Sequence, residues 1–262
     1  MPSRLSGSGG RSRVHGSPSK GFSVAVPEAV PAMTPSRSGG TPDLRITGTL
    51  FFADSMKIKD IHTHILPSEP GSALVCVGSG PVPQAQGHFF SVGLHPWDVT
   101  GSDGESFRIL DSLLSRPDVL ALGESGLDAL RMPPADIQEK AFIRQFELSE
   151  THSKPMILHV VRAFDRIIHL KKSLKPAQKW LIHGFRGGPE QARQLLGCGF
   201  SLSLGLAARE ETVLSIPRGF LLAETDGKCG SDAVISRIAG ILGLEPGEAE
   251  KLIESNISDF FA

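Results

Sequence analysis

The sequence predicts an α/β protein, a (β/α)8 TIM-type barrel whose first two crossover helices are short or missing. Three observations carry that expectation. From residue 56 onward the chain repeats one rhythm: an apolar run, a polar loop, then an amphipathic or turn segment. Eight such runs can be read, at 57–62, 73–78, 88–94, 118–124, 156–161, 179–184, 200–204 and 219–224. The runs are near-continuous rather than alternating, as in Ala73-Leu74-Val75-Cys76-Val77. Parallel strands covered on both faces read this way, and eight parallel βα units close into a barrel.

The first run opens into Asp60-Ile61-His62-Thr63-His64. Residues two apart in a strand share a face, so His62 and His64 project together, as adjacent ligands of one divalent ion would. About 10 residues separate the first and second runs, and about nine the second and third. A parallel crossover needs roughly a dozen or more, so no full helix is expected there. The third run ends in Gly93-Leu94-His95-Pro96 and the fourth at Glu124. A helix from Asp136 then carries Ile137, Ala141, Phe142 and Leu148 on one side. The fifth run ends at His159, with Arg162 three residues on, and a helix from Ala163 presents Phe164, Ile167 and Ile168. After His183, Gly188-Pro189 opens a helix with Ala192, Leu195 and Leu196 that stops at Gly197 and Gly199. Proline just inside the start and glycine past the end is the expected asymmetry. The eighth run leads to Asp226, and helices from Asp232 through Leu242 and from Pro246 to Asn256 follow.

With 262 residues, 40% hydrophobic content and a net charge of −1, the chain suits an ordinary globular protein, long enough for one large domain or two small ones. No apolar run approaches the roughly 18 residues that span a bilayer, so no membrane partner is expected, and the default location is cytoplasmic. Cys76, Cys198 and Cys229 lack C-x-x-C spacing, which argues against a disulfide framework or a thiolate zinc site. All three are expected to be reduced filler. Residues 1–55 differ in kind: 24 are Gly, Ser or Pro, six are Lys or Arg, and three are acidic. Such a segment reads as a disordered leader or a non-native extension ahead of Met56, or else a transit peptide. The barrel is expected over 56–262.

A barrel of this type places its site where the strands end. His62, His64, Glu124, His159, His183 and Asp226 all fall there, four imidazoles and two carboxylates. That set suits two divalent ions of zinc, manganese or magnesium type, with nitrogen ligation leaning towards transition metals. Arg162 is expected to hold a phosphate oxygen with its planar fork, and His95 to bind or protonate a leaving group. Asp226 is expected to be both ligand and general base. Asp128 reads as a loop or supporting carboxylate, and His15, His88, His152 and His169 as solvated or packed.

The stretches D-I-H-T-H, G-L-H-P, G-E-S-G-L-D, the Q-x-x-x-F-x-x-Q of Gln138 to Gln145, L-H-V-V-R, H-G-F-R-G and E-T-D resemble the TatD family over 56–262. Its members are metal-dependent deoxyribonucleases of the amidohydrolase superfamily. The resemblance implies His62, His64 and Asp226 on one metal, His159 and His183 on the other, and Glu124 bridging. It also implies exonuclease-like hydrolysis of DNA by metal-activated water.

The sequence departs from that pattern in a short segment after His64, in Ala-Leu-Arg after Gly-Leu-Asp, and in Gly-Lys-Cys after Asp226. The chain has no tyrosine, so few platforms for an unpaired base are expected. DNA binding should rest on the metals with Arg162, Arg186 and Lys228, and be weak and salt-sensitive. Two alternatives are a hydrolase of the same superfamily acting on a small ester or amide, and a noncatalytic metal-binding barrel. Glu124 stands where many dinuclear amidohydrolases carry a bridging lysine, which disfavours the former. Oligomeric state is not set by the sequence.

Overall fold

The computed structural model describes residues 57–262; the leader reading, Met56 and His15 lie outside them. Eight strands run β1 (Asp60–Thr63), β2 (Ala73–Cys76), β3 (Phe89–Val92), β4 (Val119–Asp128), β5 (Met156–Val161), β6 (Trp180–Ile182), β7 (Phe200–Leu204) and β8 (Leu221–Ala223). Each pairs in parallel with the next, in chain order. The wall nearly closes just past β8, where the Asp226 N–H donates to the His62 carbonyl at 3.0 Å.

Among the described residues seven helices follow: α1 (Gly104–Leu114), α2 (Ala135–His152), α3 (Phe164–Leu174), α4 (Pro189–Gly197), α5 (Glu210–Ser215), α6 (Ser231–Leu242) and α7 (Pro246–Phe261). The connections after β1 and β2 carry no helix, as their lengths predict. Two helices escape the sequence reading. Helix α1 opens at Gly104, directly after Gly101-Ser102-Asp103. Asp103 ties that turn by accepting from the Thr100 N–H, the Thr100 hydroxyl and the Gly101 N–H. Phe107, Leu110 and Leu114 then return to the core at helical spacing. Helix α5 spans six residues, too few for a periodic signal.

Strand ends also differ from expectation. β4 continues to Asp128, because Ser125 to Asp128 keep pairing with Leu158 to Val161. Glu124 and His159 therefore lie within strands, while His64, His183 and Asp226 lie past the ends of theirs.

The end of the barrel where the strands begin is apolar. The Trp180 ring packs 5.2 Å from Phe142 and 6.1 Å from Phe200, and Phe90 and Met156 are likewise fully buried. Each such side chain contributes about 1.5–3 kcal/mol of transfer free energy. With the core filled from that end, the opposite end is free to hold polar groups.

Candidate metal centre

Glu124 is the hub of the site. Its Oε1 lies 3.0 Å from His64 Nε2 and 3.4 Å from His62 Nε2; its Oε2 lies 2.7 Å from His183 Nε2 and 3.4 Å from His159 Nδ1. One carboxylate thus faces two separate imidazole pairs. Asp226 completes the first group, its Oδ1 3.4 Å from His64 and 3.7 Å from His62. His95 joins the second, with Nε2 3.6 Å from Glu124 Oε2. All six expected ligands therefore meet in one place.

The backbone explains how. Gly126 has φ +147°, and a Cβ there would come within 2.0 Å of the His159 carbonyl oxygen. Gly123, just before Glu124, and Gly126, two residues after it, let β4 lie close against β5, which sets Glu124 beside His159. The paired glutamines of α2 fasten the neighbouring loops. Buried Gln145 donates to the Leu94 carbonyl and accepts from the Leu94 N–H, next to His95. Buried Gln138 accepts from the Asp128 N–H and donates to the Asp128 and Pro133 carbonyls.

Further carboxylates orient the imidazoles from behind. Asp128 Oδ2 stands 3.4 Å from His159 Nε2, and Glu224 Oε2 stands 3.7 Å from His183 Nδ1. Glu224 is fully enclosed and accepts from the Ser203 hydroxyl at 2.6 Å. Such partners fix ring orientation and tautomer in metal sites. Sequence reading assigns Asp128 a supporting role and overlooks Glu224, whose only signal is the E of E-T-D.

Charge is distributed accordingly. Burial raises the pKa of Glu124, but the four imidazoles that face it, His159, His183, His62 and His64, outweigh it and hold the carboxyl well below its usual range. Asp226 is held low in the same manner, by His62, His64 and Lys228. His64 rises to about 9 through its hydrogen bonds to Asp226 and Glu124. Burial disfavours charge on His183, yet Glu124 and Glu224 together push it up to about 10. His95 goes the other way: burial lowers it to about 4, so it is neutral near pH 7. Its Nδ1 accepts from the backbone N–H of Trp97, which places its proton on Nε2, towards Glu124.

His62 supplies the test of fit. It is fully buried, and neither ring nitrogen makes a hydrogen bond. An orphaned buried polar group costs about 1–3 kcal/mol. A divalent cation between His62, His64 and Asp226, whose ligand atoms lie within 4.8 Å of one another, would engage one of those nitrogens. His95, Glu124 and His159 form a second such trio, and Cys76 lies with His62 and Glu124 in a third. Cys76 is buried filler as expected, but beside the cluster, and burial pushes its thiol up to about 11.

Two cavities meet over the cluster. One of about 660 Å³ is bordered by His64, Cys76, His95 and Trp97; the other, about 910 Å³, by Arg162, Arg186, Gln191 and Arg209. His159, His183, Asp226 and Lys228 line both. Arg162 thus opens onto the site from the end of β5. Lys228 pairs with Asp226 Oδ2 and is largely exposed. The remaining histidines stay outside: His88 is buried, His152 pairs with Asp111, and His169 lies on exposed α3 surface.

Comparison with known proteins bears on the family and the fold. The TatD related DNase family matches residues 83–262, a segment that begins in the connection between β2 and β3. β1 with His62, and His64 just past it, precede that segment, so the match is shorter than the resemblance read over 56–262. An uncharacterized metal-dependent hydrolase, YabD of Bacillus subtilis (strain 168), is 31% identical over 147 residues, 53% of this chain and 58% of the relative. The chain thus spans little more than half of that relative. A 3'-5' ssDNA/RNA exonuclease TatD of Erwinia billingiae (strain Eb661) is 28% identical over 200 residues, 65% of this chain and 76% of the relative. The crystal structure of YJJV, a TatD homolog from Escherichia coli K12, superposes with a TM-score of 0.67 at 20% identity, covering 78% of this chain and 98% of that one. A TatD family hydrolase from Entamoeba histolytica gives 0.63 at 15% identity, covering 78% and 97%. The structural likeness supports the barrel, and the family match covers well over half of the sequence: the chain belongs to the TatD-related DNase family.

Proposed function

We propose that the protein is a divalent-metal-dependent phosphodiesterase that trims single-stranded nucleic acid from an end, with DNA as its first substrate. One observation carries the reading: Glu124 directs one carboxylate oxygen to each of two imidazole pairs, the donor set of a two-ion hydrolytic centre. His62, His64 and Asp226 would hold one ion, His159 and His183 the other, and Glu124 both. Four imidazoles favour zinc or manganese over magnesium. Such a pair of ions, when bound, polarises a phosphoryl oxygen and lowers the pKa of water.

The chain's own residues do the rest. Asp226 keeps Oδ1 towards the histidines and Oδ2 outward, so Oδ2 accepts a proton from the attacking water once Lys228 turns away. Neutral His95 offers its Nε2–H to the leaving oxygen as a hydrogen bond, which narrows its expected role to binding. Arg162 and Arg186 face the same opening, where guanidinium forks match phosphate oxygens. Three free cysteines suit a reducing compartment, so the cytoplasm remains our proposed location; no described helix is long and apolar enough to cross a membrane.

The test is direct. Metal-stripped protein, reconstituted with zinc, manganese or magnesium, is assayed on single-stranded DNA, RNA and a generic phosphodiester. Metal-dependent release of mononucleotides supports the reading, and inertness towards all three refutes it.

A further inference from the structure

The two sides of the site mouth differ in chemistry. Strands β3 and β7 stand four apart in a ring of eight, so their loops face each other across the mouth. The side after β5, β6 and β7 presents Arg162, Arg186 and Arg209. The side after β3 presents Trp97.

Trp97 is 49% exposed, whereas the other tryptophan, Trp180, is fully buried. It is also held in place. Its Nε1 donates to Asp128 Oδ2 at 2.7 Å, and the Arg131 guanidinium lies 5.0 Å from its ring centroid. The ring meets His95 and His159 edge-on, at 4.7 and 5.5 Å. Leu130 and Met132, which flank Arg131, are more exposed still. An indole kept at a cavity rim, oriented by a hydrogen bond and a cation instead of by burial, is a surface prepared for a flat ligand.

We infer that Trp97, braced by Asp128 and Arg131, is the stacking platform for the nucleobase of the terminal nucleotide, while the arginine side holds the body of the strand. The inference rests on the phosphodiesterase reading above and adds to it where the end of the substrate lies. Every base has a π-face, so the platform selects for a base without selecting which one. A single platform fits a single nucleotide, and three guanidinium groups fit successive phosphates. The absence of tyrosine from the sequence therefore does not leave the site without an aromatic surface.

The experiment compares wild type, Trp97→Phe and Trp97→Leu, each reconstituted with metal and checked by elemental analysis. Substrates are oligothymidylates with an intact terminal nucleotide or an abasic one, at either end in turn. Wild type should prefer the intact end over the abasic one by roughly 5- to 150-fold in kcat/KM, the range of one base–aromatic stack. Trp97→Phe should keep most of that preference. Trp97→Leu should fall to the abasic level on intact substrate and lose nothing further on the abasic one. Equal losses in both variants on both substrates would overturn the platform and leave Trp97 as a support for Asp128. A second readout needs no turnover: phosphorothioate oligothymidylate should quench the exposed Trp97 emission of wild type, and its abasic counterpart should quench less. Equal quenching by the two, or none, overturns the proposal even if DNA is hydrolysed. Retained differential quenching without hydrolysis of any substrate overturns only the phosphodiesterase reading.

Discussion

The stretch of wall that bears His62 and His64 is built differently from the stretch that bears Glu124, His159 and His183. From β3 to β8 every strand is followed by a helix, and the ligands there are set by packed backbone: β4 against β5, with α2 glutamines gripping the loops. The connections after β1 and β2 have no helix, and β1 is held by polar contacts from the far end of the chain. Asp60 accepts from the Thr225 N–H and hydroxyl and from the His62 N–H. Lys59 reaches Asp232 in α6 and Glu250 in α7. The contrast teaches that the first ligand pair depends on barrel closure, whereas the second depends on local packing. Damage to closure should weaken one pair and spare the other.

Glu124, which faces both pairs, should defeat this distinction, and its loss should be the largest effect. Glu124→Ala is expected to lower metal content at both positions and reduce turnover by more than the roughly 10- to 100-fold seen for residues that merely support ligands. Full occupancy by elemental analysis would show that the carboxylate does not serve both pairs. Asp226→Asn comes next, with kcat down about 10²- to 10⁴-fold and KM little changed. Near-normal turnover with metals retained would remove its role as base.

Two smaller changes separate the halves. Asp60→Ala strands the Thr225 and His62 N–H groups, each at about 1–3 kcal/mol, so the thermal midpoint should fall. Metal affinity should drop at the His62–His64 pair alone. Glu224→Gln should instead weaken the His159–His183 position by about 10- to 100-fold. Equal loss at both positions in either variant, read by metal titration, would erase the contrast.

Proton competition acts at both pairs. With His64 near 9 and His183 near 10, both carry a proton at pH 7 in metal-stripped protein, and an incoming ion must displace it. Affinity therefore rises with pH, by up to about tenfold per unit for each proton displaced. A pH-independent affinity between pH 6 and 8 would contradict those protonation states. The smallest effect is expected of Arg162→Ala, a rise in KM with kcat retained, measured on oligonucleotides.

Much of this was legible in the sequence because each cue was local. The near-continuous runs marked the strands, the short gaps marked the helix-free connections, and the six ligand types fell close to strand ends. What stayed hidden arises between elements. Whether Glu124 ends a strand or sits within one depends on pairing with β5. Glu224 acts through His183, two strands away, and Asp60 through Thr225, across the closure of the wall. Gln138 and Gln145 carry a recognisable spacing, but their grip on Asp128 and Leu94 exists only in the folded chain. Trp97 carries no cue of its own in the sequence, and its contacts to Asp128 and Arg131 arise only when the chain folds.

The central claim is that one carboxylate organises two metal positions. Titration of metal-stripped protein with manganese, followed by electron paramagnetic resonance, tests it most directly. The account predicts saturation at about two ions per chain with spin coupling between them, since one bridging ligand brings two ions to the separation of two-metal sites, roughly 3.5–4 Å. Saturation at a single ion, or two uncoupled ions, would contradict it.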